Sequence, residues 1–73
     1  MNFVQFTMTP AQAALHSFIG EYIARKGYAP SYAEMAAHLG VVSKSNIHRL
    51  ILGLEERGRI ARIPARKRCI VVL

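Results

Sequence analysis

The stretch "SKSNIHR" sets hydroxyl, ammonium, amide, imidazole and guanidinium groups side by side as Ser43, Lys44, Ser45, Asn46, His48 and Arg49. These groups suit hydrogen bonding to bases and phosphates. An asparagine amide pairs bidentately with adenine and an arginine fork with guanine. Lys44 suits a phosphate or a guanine. Ser43 is first of all a helix cap, with its hydroxyl or backbone N–H left for a phosphate. A second set, Arg66, Lys67 and Arg68, puts three cations in a row, a natural phosphate clamp or minor-groove probe. Each group also has a plainer reading: a tolerated first-turn residue, a solvated side chain, a turn kept soluble by charge.

The elements around these residues decide between the readings. Ile47, Leu50, Ile51 and Leu54 fall at i, i+3, i+4 and i+7, so they must face a core. Ser45, His48 and Arg49, three and four apart, then share an outer face. This helix starts near Ser43 and ends at Arg57 and Gly58. Before it, "SYAE" is a capping box opening a short helix with Met35, Ala36 and Leu39 as its apolar face and Gly40 as its stop. "TPAQ" opens the first helix, with Thr9 as cap, Pro10 in the first position and Gln12 completing the box. Leu15, Phe18, Ile19, Tyr22 and Ile23 follow helical spacing as far as Gly27. Gly20 lies inside this helix, and a close helix crossing would account for it. "RIARI" and "RCIVVL" are short β-prone runs joined by "PARK", a hairpin with a basic tip. Pro64 belongs at the turn or at an edge.

Two short helices joined by a glycine-containing turn form a helix-turn-helix pattern. The hairpin that follows completes a winged helix-turn-helix, mainly α with a small β-hairpin. Residues 1–8 are an N-terminal extension, and residues 9–73 form the domain. The chain's 73 residues and 52% apolar content fit one small folded unit. The net charge of +6 lies wholly after residue 40, where eight cations face Glu55 and Glu56, an asymmetry that points to a polyanion. The single cysteine, Cys69, sits among apolar residues and reads as a small hydrophobe. No signal-peptide pattern or bilayer-length apolar run is present, so a cytoplasmic location is expected.

The run from Thr9 to Pro64 resembles the N-terminal DNA-binding domain of LexA repressors. The resemblance rests on Thr9 and Gln12, on Gly27, Pro30, Ser31, Glu34, Met35, Ala36, Leu39 and Gly40, and on Ser43, Ile51, Leu54, Arg57, Gly58 and Ile60. It implies a winged helix-turn-helix that binds operator DNA. There are departures. The family's asparagine near the start of the third helix aligns with Ser45, and its next contact position with Asn46. An acidic pair one turn later aligns with His48 and Arg49, so an operator sequence does not carry over. The wing's usual glycine is Cys69, and a polar strand position is Val71. The family's repressors continue into a self-cleaving peptidase domain with a Ser/Lys dyad that supplies dimerisation. This chain ends at Leu73, so neither that domain nor autoproteolysis is expected.

The expected function is a sequence-specific regulator of transcription, a repressor by resemblance, that binds double-stranded DNA. Its third helix would read the major groove and its wing would hold the backbone or minor groove. The alternative is a winged helix that binds a partner protein, favoured by the apolar Phe3, Val4, Phe6, Ile70, Val71, Val72 and Leu73. A weak homodimer is expected to use Val71, or Phe3 and Phe6. No cofactor or metal site is expected, because His16, His38 and His48 fall on three helices with no acidic cluster and a lone histidine is most often a surface residue. Nor does any catalytic motif mark the chain as an enzyme.

Overall fold

The computed structural model describes residues 8–62 and 70–73. The elements run α1 (Pro10–Lys26), α2 (Tyr32–Leu39), α3 (Lys44–Glu56), β1 (Ile60–Arg62) and β2 (Ile70–Val72). The order is that of a winged helix-turn-helix, mostly helical with one two-stranded sheet.

Local hydrogen bonds set the helix starts. Thr9 Oγ1 accepts the Gln12 N–H at 3.2 Å while Gln12 Oε1 accepts the Thr9 N–H at 3.0 Å. Ser31 and Glu34 repeat the exchange at 3.1 and 2.7 Å. Both are the boxes the sequence predicts. The start of α3 has only half of such a box. Ser43 Oγ accepts the Ser45 N–H at 3.0 Å, and position N3 is Asn46 rather than an acid or glutamine. The α2–α3 turn depends on Gly40, whose φ of 71° is a left-handed geometry that a Cβ would strain. The Val41 N–H then reaches back to the Ala36 carbonyl at 3.1 Å, closing the turn.

The core is one cluster fed by every element. Leu15 and Ile19 come from α1, Met35 and Ala36 from α2, and Ile47, Ile51 and Leu54 from α3; Ala29, Ile60 and Ile70 close it. The helices pack pairwise, with β1 against α3 and β2 against α1. Polar contacts reinforce the α1–α2 join. The Tyr22 hydroxyl donates to Glu34 Oε2 at 2.8 Å, so one carboxylate serves both the cap of α2 and the packing of α1. Phe18 stacks on His38 at 4.0 Å.

The strands pair antiparallel, with Ile60 opposite Val72, Ala61 opposite Val71 and Arg62 opposite Ile70. Alternation puts Ile60, Arg62, Ile70 and Val72 on the face toward the helices, and Ala61 and Val71 on the outer face. The expected connection "PARK", including Pro64, lies outside the described residues.

The glycine that permits a close helix approach is Gly53, not Gly20. Among the described residues, a Cβ at Gly20 would meet only Val72 Cγ2 of β2, at an ordinary 4.0 Å. A Cβ at Gly53 would overlap the Gln12 side-chain amide nitrogen. Gln12 is 9% exposed, and its Oε1 accepts both the Thr9 N–H and the Arg57 Nε–H, the latter at 3.2 Å, so it is not free to swing aside. The two glycines should therefore respond oppositely to alanine. Gly20→Ala should stabilise by about 1 kcal/mol, the helix-propensity gain. Gly53→Ala gains the same propensity but dislodges Gln12, for a net loss of about 1 kcal/mol. In a Gln12→Ala background Gly53→Ala should become stabilising. Denaturant midpoints of the four variants check this, and equal effects at the two glycines would refute it.

Candidate nucleic-acid interface

Complete burial of Ile47, Ile51 and Leu54 fixes the rotation of α3. With about 100° per residue, the side opposite those three carries Ser45, Arg49, Leu52 and Glu56. All four are exposed. Lys44, Asn46 and His48 are exposed too, and Ser43 is half-buried at its cap. Arg66, Lys67 and Arg68 lie outside the described residues.

The helix does not present the predicted residues as one set. Asn46 and His48 are two positions apart, about 200° around the axis, and so flank the outward stripe on opposite sides. Asn46 shares its flank with Gly53 and Arg57, the side that approaches α1 through Gln12. His48 shares its flank with Lys44 and Glu55, the side of α2 and the wing. Its Nδ1 lies 3.5 Å from the Tyr32 hydroxyl, at the start of α2.

The wing is joined to that same flank by an ion pair the sequence reading did not foresee. Arg62, on the inner face of β1, reaches Glu55 with two donors: Nη2 to Oε1 at 2.9 Å and Nε to Oε2 at 3.3 Å. Hydrogen bonding to Glu55 raises the Arg62 guanidinium above its ordinary pKa; burial opposes this, and the charge of Glu55 and the Tyr32 hydroxyl add to it. Arg62 is charged at all working pH values, so the shift has no titration consequence. Its meaning is geometric: Glu55, Arg62, Tyr32 and His48 form a contiguous polar strip joining α3, β1 and α2.

Sequence signals for these contacts existed in part. Arg62 stands two residues after the buried Ile60, which places it on the inner face if the run is a strand. Nothing local marks Glu55 as its partner. Gln12 looks complete as a cap residue, so its second contact with Arg57 is invisible without the fold.

The histidines need one correction. His38 and His48 are exposed, as a surface reading expects, but His16 is half-buried and its Nε2 is enclosed with no hydrogen-bond partner among the described residues. Among the described residues no group of three or more His, Cys, Asp or Glu side chains is placed to hold a metal ion. No helix among them is long and apolar enough to cross a membrane.

Residues 6–69 match the family model described as LexA DNA binding domain. The LexA repressor of Rhodospirillum rubrum is 50% identical over 66 residues, 90% of this chain and 26% of that protein. The chain thus spans about a quarter of the length of that curated relative.

The Glu55–Arg62 pair should orient more than it stabilises. The two side chains are 37% and 32% exposed, and pairs of that exposure contribute about 0–1 kcal/mol. Glu55→Gln should therefore lower the melting temperature by less than about 5 °C. It should also speed solvent exchange of the Arg62 Nε–H, followed by NMR. A large loss of stability, or an unchanged Arg62 signal, would contradict this.

Proposed function

Because the chain belongs to the LexA DNA-binding domain family, we propose that it is a transcriptional regulator, a repressor, that binds double-stranded DNA sequence-specifically through the outward face of α3. The observation that carries this reading is the rotation of α3. Ile47, Ile51 and Leu54 are wholly buried, Leu50 is partly buried, and Ser45 and Arg49 stand exposed on the opposite side of the helix.

In this reading α3 lies in the major groove with its N-terminal turn at the base edges. Arg49, outermost, has the fork that matches guanine O6 and N7. His48 reads on the wing side and Asn46 on the α1 side, so they address different base positions. Ser43 keeps its hydroxyl proton after accepting from Ser45, and that proton can go to a phosphate. Lys44 and the wing cations Arg66, Lys67 and Arg68 supply sequence-independent affinity by neutralising phosphates.

One helix and one wing reach too few base pairs to single out a site, and two-fold pairing on half-sites is the general remedy. Val71, 44% exposed on the outer face of the sheet, is the proposed contact for a weak homodimer formed on DNA. The same exposed valine favours the second reading, a partner protein docked on the wing.

Binding titrations of point variants test the proposal. Affinity should fall linearly in log K against log salt, with a slope of about −0.9 per neutralised phosphate. Asn46→Ala and His48→Ala should each relax preference at one base position, and the two positions should differ. Arg49→Ala should cost about 1–3 kcal/mol at a third. Arg66→Ala combined with Lys67→Ala should weaken all sequences alike. A protein indifferent to duplex DNA at low salt would overturn this reading in favour of the partner protein.

A further inference from the structure

Among the described residues none covers Val42: its exposure is 102% of the reference value, where Val41 beside it is half-buried against the core. A single exposed valine is ordinary on a protein surface, but the place of this one is not. On one side the turn is pinned, with the Val41 N–H on the Ala36 carbonyl at 3.1 Å and the Gly40 N–H on that of Ala37 at 3.4 Å. On the other side Ser43 caps α3 through the Ser45 N–H at 3.0 Å. Val42 is therefore a branched, rotamer-restricted apolar group on a backbone held at both neighbours. It stands one residue, Ser43, before the exposed Lys44, Ser45 and Asn46.

We propose that Val42 is a specificity-determining residue that packs on the C5-methyl group of a thymine at the edge of the site read by α3. The inference rests on the duplex-reading role proposed above. Among the four bases only thymine presents a methyl group in the major groove, and apolar side chains contact it there. Closing water out from between the two branches of Val42 and that methyl gives an apolar contact at a position where the neighbouring side chains supply only polar ones. Because the valine is already fixed by the turn, little ordering entropy opposes the contact.

The test is a thymine-to-uracil scan of a duplex obtained by binding-site selection with the intact chain. Uracil removes the methyl group and leaves every hydrogen-bonding edge in place. The wild type should lose about fourfold in affinity at one thymine per half-site, the factor that about 0.8 kcal/mol for one buried methyl produces. Val42→Ala, an exposed substitution that should leave the fold intact by circular dichroism, should bind the thymine duplex about as weakly as the wild type binds the uracil duplex. It should not distinguish the two. If the wild type tolerates uracil at every position, or Val42→Ala keeps full discrimination, the inference is overturned while DNA binding stands. If the wild type binds no duplex even at low salt, the functional reading fails and takes the inference with it.

Discussion

The burial of Ile47, Ile51 and Leu54 in α3 is the constraint on which the rest of the molecule depends. Each buried side chain of this size contributes about 1.5–3 kcal/mol relative to exposure, a large share of what a chain of 73 residues has to spend. No other rotation of α3 buries all three. Once they are seated, the outward line of Ser45 and Arg49 follows from helix geometry alone, and the polar residues there need contribute nothing to folding. The exposed surface can therefore vary without cost to the surface that packs.

Rotation is not position, and the flanks of α3 settle its position. On one side Gly53 lets the Gln12 amide of α1 lie against the helix backbone, and Arg57 closes over Gln12. On the other, Glu55 holds Arg62 at the base of the wing, and Tyr32 meets His48. The first contact is steric and buried, and sets how closely α1 and α3 approach. The second is polar and half-exposed, weak in stability terms but directional, and it holds β1 against the flank of α3. For a reader of duplex DNA, helix and wing must hold a set separation to engage groove and phosphates together.

Much of this is legible in the sequence because it is local. Thr9 with Gln12 and Ser31 with Glu34 announce helix starts within four residues, and Gly27 and Gly40 announce stops. The apolar stripe of α3 gives its buried side. What failed was non-local. Gly20 and Gly53 look alike along the chain, and only the fold reveals that one faces Val72 at leisure and the other faces a fixed amide. The Glu55–Arg62 pair spans an element boundary, and His16 turns an edge inward that its spacing does not betray. The division of Asn46 from His48 was available from the helical angle, since residues two positions apart do not share a face. Taking the exposed residues of "SKSNIHR" as one pool concealed it. The basic tip from Arg66 to Arg68 and the aromatic Phe3 and Phe6 lie outside the described residues, so the roles expected of them stand as proposals.

The outward face of α3, on its wing side, is the proposed surface that meets duplex DNA. The most direct measurement is an amide chemical-shift titration of the chain with a selected duplex. The largest changes should fall from Val42 to Arg49 and at Arg62, with small ones at the far end of α1 around Arg25 and Gly27. Changes concentrated on Val71, Val72 and Leu73, with α3 undisturbed, would contradict it.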